Sequence, residues 1–381
     1  MLILDAGDFA ADAGPGNDFF TEGVVEGMRR LGYAAAALGG RDLAAGAPLR
    51  ATLRERAGFP VLAANLPPRQ RRQWGAAPYT IREFPNFSVG IIGMAGTLKT
   101  GRAARGFAPR LPEGTPRLRD YRKSLWRNLK KLRKRCDVII LLAQADHGQA
   151  MGLLEEFPEI DLLISARDSA LARDPHTVGI SVLGFTGTEG KQLGYARLRV
   201  YPNRTVGLTW GTSLKLGKKV KEDPESRALV QRTTARANAW HRTRAEAALT
   251  ASHDPVNAPS PFQTAATCQP CHARAYAVWK ASAHARAMEV LEAGHQDFLP
   301  QCVSCHVTGM DQPGGFRDRL RTPDLIQVQC EACHGPAEAH LADPTRPYGP
   351  VGLSMCADTC HTPEQTGGGF DVEPKWELIR H

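Results

Sequence analysis

Eight cysteines in the last third of the chain fall into four pairs, and a histidine directly follows each pair. Three pairs have the spacing C-x-x-C-H: Cys268, Cys271 and His272; Cys302, Cys305 and His306; Cys330, Cys333 and His334. The fourth is one residue longer, with Cys356, Cys360 and His361. Covalent attachment of haem c needs this pattern. Two thiols add to the two porphyrin vinyl groups, and the adjacent imidazole sits under the iron as proximal ligand. Structural zinc also uses C-x-x-C pairs. However, zinc gives no reason for a histidine after every second cysteine, and a disulfide scaffold does not repeat one short spacing. The expectation is four haem c groups. The fourth requires a bulged loop or a single thioether bond.

A haem iron in an electron-transfer site usually takes a sixth ligand, and the same stretch supplies His284, His295, His340 and His381. Met288, Met310 and Met355 offer the thioether alternative, which raises the potential. Four further histidines for four irons point to bis-histidine, low-potential haems. His295 sits in a polar Gly-His-Gln-Asp run and reads equally well as a solvated surface residue. The 114 residues from 268 to 381 are rich in Gly and Pro. With few aliphatic side chains, their core is expected to be the porphyrins themselves, wrapped by short helices and loops. Haems this crowded must lie near one another, as a chain of electron hops requires.

Particular runs around these motifs resemble the tetrahaem cytochrome c-554 family. They are Trp279 with Ser282 and His284; Cys305-His306-Val307-Thr308-Gly309; Gly314-Gly315-Phe316; Val328 to Pro336 with His340; Cys360-His361-Thr362-Pro363; and His381. The resemblance covers residues 262–381. It implies staggered haem pairs, mostly bis-histidine, with His284, His340 and His381 at distal positions. It also implies that one haem can be five-coordinate and high-spin, which leaves the role of His295 open. The lengthened fourth motif departs from the family pattern.

The elements before residue 213 read differently. Leu2–Asp5, Ala34–Leu38, Val61–Ala64, Val89–Met94, Val138–Ala143, Leu162–Ile164 and Gly179–Gly184 read as strands. Thr21–Leu31, Ala51–Ala57, Tyr121–Arg135 and Met151–Phe157 read as helices. This alternation predicts an α/β domain. Ile81–Pro85 with Ser88–Met94, and Leu198–Tyr201 with Thr205–Trp210, read as strand pairs across short turns.

The order of motifs here resembles the 5′-nucleotidase-like metallophosphoesterases, whose fold is a β-sandwich flanked by helices. Leu4-Asp5-Ala6-Gly7-Asp8 matches their second metal-binding segment. Leu38-Gly39-Gly40-Arg41-Asp42 stands where they carry Gly-Asn-His-Glu. Gln144 ends the strand that a Ser-His should follow, and Asp161–Asp168 stands where Gly-His-x-His is expected. Thr188 to Gly194 matches the segment after it. The ligands do not carry over. Only Asp8 keeps its place, the Asn and His of the second motif are Gly40 and Arg41, and Arg167 and Ser169 replace two histidines. His147 stands three residues past its expected position, as a displaced ligand would. Guanidinium repels metal ions, and one carboxylate cannot hold two of them. The reading is a degenerate phosphoesterase fold, with Asp8 as a turn or helix-cap residue.

Three parts are expected: an α/β domain over 1–212, a connecting helix and linker over 213–261, and the mainly α, loop-rich multihaem domain over 262–381. Charge supports the division. The 381 residues carry +9 overall, but residues 1–267 hold +14 and residues 268–381 hold −5. A shift of this size marks a domain boundary. The densest run, Lys99–Arg135, has 14 basic residues. It lacks the aromatic interleaving of a nucleic-acid surface, so nucleic acid is not expected as a partner. A solvated helix and loop is the plain reading, with docking of an acidic redox partner as the sharper one. Cys136 precedes a buried strand and reads as a core thiol.

No apolar run is long enough to cross a membrane. No charged and apolar leader precedes the first strand, although haem c is attached outside the cytoplasmic membrane. The expectation is that an export signal and a first strand lie before Met1, and that the protein works in the periplasm or on the cell surface. Three functions stay in view. The first is an electron carrier between redox partners, with a non-catalytic α/β domain for docking. The second is a haem enzyme acting on a small nitrogen or sulfur compound at a five-coordinate iron. The third is a phosphohydrolase with an accessory cytochrome.

Overall fold

The computed structural model describes residues 1–12, 14–97, 116–166, 174–187, 190–217, 220–251, 259–346, 348–366 and 370–381. The chain divides into two compact units, Met1–Leu229 and Val230–His381. The division falls inside one long helix, whereas the sequence placed its boundaries at 212 and 261.

The first unit is α/β. A three-stranded parallel sheet holds β1 (Leu4–Asp5), β2 (Ala35–Ala37) and β3 (Val61–Leu62). A six-stranded mixed sheet holds β4 (Tyr79–Phe84), β5 (Phe87–Thr97), β6 (Val138–Gln144), β7 (Leu162–Ser165), β9 (Ser181–Phe185) and β8 (His176–Val178), in that order. The central pairs are parallel, and a hairpin closes each edge. A separate hairpin joins β10 (Gln192–Val200) to β11 (Val206–Lys215).

The seven residues of β6 are all buried, as a strand covered on both faces must be. Their alternation divides the core. Ile139, Leu141 and Ala143 pack with Leu125, Leu129 and Leu132 of α4 (Tyr121–Leu132) and Leu153 and Leu154 of α5 (His147–Glu156). Val138, Ile140 and Leu142 face the other way, onto Ala35, Ala37 and Leu62 of the small sheet and Val206 of the last hairpin. A third cluster seats α1 (Asp18–Arg30) and α2 (Gly40–Arg56) on the small sheet through Val25, Met28, Leu43 and Leu53. The result is a metallophosphoesterase-like α/β fold.

Several elements differ from the sequence expectation. The helix expected at Ala51–Ala57 is the second part of the Gly40–Arg56 span, whose first part is set off by a kink at the non-helical Gly46 (φ 66°). Asp146 and Gln149 form a reciprocal cap that starts α5 four residues before Met151. The single strand expected at Gly179–Gly184 is a hairpin turning at Gly179 (φ 60°). The residues 98–115 of the basic run, Arg167, Asp168 and Ser169, Thr188, and residues 252–258 lie outside the described residues.

The helix α6 (Pro224–Ala251) crosses from the first unit into the second. The second unit is helical, with short segments such as Ala273–Ala281, Ala287–Ala293 and Cys330–His334. Its aliphatic core is small: Phe262, Met288, Leu291, Val303, Val307, Phe316 and Leu325. Within this unit, Asn238 of α6 donates to Asp297 (3.0 Å) and accepts from the Phe298 amide (2.7 Å). Among the described residues, no helix is long and apolar enough to cross a membrane.

Candidate haem-binding site

Each of the three regular C-x-x-C-H motifs places its histidine at or just past the end of a short turn. The third motif is itself a helix, Cys330–His334. The fourth motif accommodates its extra residue in a π-turn, Cys356–Cys360, closed by the His361 amide donating to the Cys356 carbonyl at 2.9 Å. A π-turn spans one residue more than an α-turn. It therefore absorbs the inserted residue while returning His361 to its place after the second thiol.

The histidines meet in pairs. His272 of the first motif faces His340, with ring centroids 6.2 Å apart. His334 of the third faces His381 at 5.9 Å, and His361 of the fourth faces His284 at 6.2 Å. Each pair joins one motif histidine to one distal candidate. An imidazole nitrogen bonds a transition metal at roughly 2 Å. Two rings on opposite sides of one ion therefore lie about 6 Å apart between centroids. The observed spacing fits an iron between each pair. Among the described residues, His306 makes no such ring pair. His295 is exposed, sits at φ 53° just after a helix end, and is not brought to another imidazole.

Backbone contacts fix the rings. Nδ1–H of His334 donates to the Gly349 carbonyl at 2.7 Å, and that of His306 donates to the Ala287 carbonyl. This tautomer leaves Nε2 for a metal. The rings of His340 and His361 are further held by stacking on Tyr348 (4.9 Å) and Phe370 (4.0 Å). Burial, and next the neighbouring histidines, lower the pKa of His284 and His361. Both shifts favour the neutral imidazole, the form that binds iron.

The thiols show which motifs are neighbours. Cys268 and Cys330 hydrogen-bond, which raises the pKa of the first and lowers that of the second. Cys360 is pushed up to about 12 by burial and by Cys305, to which it also hydrogen-bonds. Burial, and next the nearby Cys356, raise the pKa of Cys333. The motifs are therefore adjacent in the order first, third, fourth, second. A cavity of about 850 Å³ opens among Cys302, Cys305, His306, Cys356, Cys360 and His361. It has room for a porphyrin, and its apolar thiol-lined wall suits one.

Two residues that the sequence reading quoted only within the Val328 to Pro336 run, with no role of their own, set this apposition. Glu331 is 2% exposed and accepts from the amides of Gln263 and Ala337. Gln329 accepts from the Ala265 amide at 2.6 Å and donates to the carbonyls of Asp324 and Ile326. Together they tie the third motif to the segment before the first. The run was legible in sequence as a resemblance, but the bonds these two side chains make were not.

In the first unit, Asp42, Asp8 and Gln144 are engaged in structural bonds. Asp42 is fully buried and accepts from the amides of Asp8 (2.7 Å), Gly39 (2.7 Å) and Ala10 (2.8 Å). Asp8 accepts from the Arg41 amide at 2.6 Å, so its carboxylate caps the first turn of α2. Gln144 donates to the Gly7 carbonyl at 2.8 Å. His147 meets Phe185 and His176 in tilted ring contacts, at 5.6 and 5.9 Å between centroids. Burial raises Asp5 to about 6 and Asp42 to about 7.

Residues 267–335 match the family described as cytochrome c554 and c-prime. The C-terminal part resembles the cytochrome c-554 family. The cytochrome c-554 of Nitrosomonas europaea is 35% identical over 101 residues, covering 23% of this chain and 43% of that protein. The chain thus spans less than half of the curated cytochrome c-554 it matches. Solved structures similar to this chain include nucleotidases. A 5′-nucleotidase precursor from Thermus thermophilus is 20% identical, covers 68% of this chain and 52% of its own, and gives a TM-score of 0.50. The NAD nucleotidase of Haemophilus influenzae is 16% identical, covers 62% and 51%, and also gives 0.50. Identity this low speaks for the fold alone.

Proposed function

We propose that the protein is a tetrahaem c-type electron carrier working outside the cytoplasm, with the phosphoesterase-like unit as a non-catalytic docking domain. The observation that carries this is the set of three imidazole pairs at 5.9–6.2 Å, each joining a motif histidine to a distal one. Bound haem c would supply reversible one-electron exchange, with potentials set by axial ligands and burial. The eight motif cysteines would anchor the groups, with His272, His306, His334 and His361 as proximal ligands. His340, His284 and His381 would be distal ligands to the first, fourth and third motifs. The π-turn supports full attachment at Cys356 and Cys360. Adjacent motifs suit hops in the order first, third, fourth, second, between redox protein partners.

A second reading rests on His306, for which no ring pair with another imidazole is seen among the described residues. The second motif would then leave an axial position for a small nitrogen or sulfur compound. Phosphate-ester hydrolysis is not expected, because Gly40, Arg41 and Gln144 cannot replace the missing ligands.

Intact mass with a pyridine haemochrome assay tests the main reading. Four haems per chain are expected, and none would overturn it. A visible spectrum with three low-spin haems and one high-spin haem favours the open position at the second motif; four low-spin haems remove it.

A further inference from the structure

Two of the imidazoles described above belong to different motifs yet meet the same side chain. Tyr348 stacks on His340, the ring facing the first motif, with centroids 4.9 Å and planes 11° apart. It also stacks on His334, the histidine of the third motif, at 5.7 Å and 23°. Phe370 makes the simpler contact, a stack on His361 at 4.0 Å and 6°.

The backbone beside Tyr348 serves the same two imidazoles. The Arg346 carbonyl accepts from His340 Nδ1–H at 3.3 Å, and the Gly349 carbonyl accepts from His334 Nδ1–H at 2.7 Å. Gly349 sits at φ 27°, and a Cβ there would lie 2.1 Å from the His334 carbonyl oxygen. Only glycine allows so close an approach. The Tyr348 hydroxyl donates to the carbonyl of Gly335, the residue after His334, which ties the phenol to the third motif. Arg346, Tyr348 and Gly349 thus orient one ring from each of two iron sites. The thiols make the same motifs neighbours, since Cys268 hydrogen-bonds Cys330.

The plane of an axial imidazole matters to an iron. The ring's π orbital overlaps one of the iron dπ orbitals, so turning the ring changes which of them is raised. Groups behind a ligand fix that orientation, and the axial ligand in turn tunes the potential. Two rings seated on one phenol do not turn independently. We infer that Tyr348 is a positioning residue shared by two haems, setting the planes of His340 and His334 together and making the first and third sites a matched pair. This rests on the electron-carrier reading. Tyr348 itself is neither oxidised nor reduced.

Electron paramagnetic resonance of the oxidised, haem-loaded protein tests the inference, with peptide mass spectrometry reporting which motifs carry haem. Y348L removes both stacks, and the low-spin signals of two haems are expected to shift. Y348F keeps the ring without its hydroxyl and is expected to restore them. F370L removes a stack on one imidazole and is expected to shift a single, different signal. Where Y348L loads poorly, haem is expected to be missing from the first and third motifs and present at the second and fourth. Loss spread over all four motifs overturns the inference. So does a fully loaded Y348L in which no signal moves, or only one. A Y348F spectrum as altered as that of Y348L places the effect in the hydroxyl and overturns it too. A haem-free unsubstituted protein sinks the carrier reading and this inference with it, whereas four haems with unmoved signals in Y348L sink this inference alone.

Discussion

At the scale of single residues, the first unit shows a carboxylate whose role is structural. Asp42 holds three amides of two loops, and Asp5 accepts from the Gly7 amide at 2.7 Å. Burial raises both, to about 7 and about 6, above the unfolded value near 3.8. A raised folded value means that the fold favours the protonated acid. The stability this contributes is full below about pH 4 and is lost as pH rises towards about 7. The conservative variant D5N keeps an acceptor for Gly7 and cannot ionise. Urea denaturation followed by circular dichroism at pH 4.5 and 7.5 should show D5N gaining on the unsubstituted chain at the higher pH. Equal differences at the two pH values would contradict this. The sequence placed Asp42 only as the end of a motif. Its role depends on amides 32 and 34 residues away, a relation no local pattern reveals.

At the scale of elements, glycines separate close packing from open surface. A side chain at Gly93 of β5 would place its Cβ 2.4 Å from Leu62 Cβ and 2.9 Å from the Leu62 carbonyl. G93A should therefore destabilise the first unit by about 1–3 kcal/mol. Gly152, inside α5, has nothing within 4 Å. G152A should stabilise by roughly 0.5–1 kcal/mol through helix propensity. The two denaturation midpoints should move in opposite directions. Strands such as β6 were legible because apolar runs declare themselves. Helix starts were not: α2 hides behind Gly46 and Pro48, and α5 depends on a cap that precedes its apolar face. The extra residue of the fourth motif was legible as an irregularity, but its solution as a π-turn needed the backbone.

At the scale of the whole molecule, the motif cysteines were legible individually because spacing alone carries their chemistry. Which motif lies beside which was not, since that is fixed by contacts such as Gln329 to Ala265, far apart in sequence. Cys330 lies against Cys268, and Cys333 lies near Cys356. Removing the third motif's thiols should therefore disturb two neighbours as well. C330A/C333A is expected to hold fewer than three haems per chain by pyridine haemochrome. Three haems with an otherwise unchanged spectrum would show the motifs to be independent.

The alternation of first with third and second with fourth also means that this unit has no seam. A cut anywhere between the second and third motifs separates Cys268 from Cys330 and Cys305 from Cys360. Fission into two smaller cytochromes would leave each half with an open wall where its neighbour had been. The four motifs are thus interleaved rather than arranged as two separable halves.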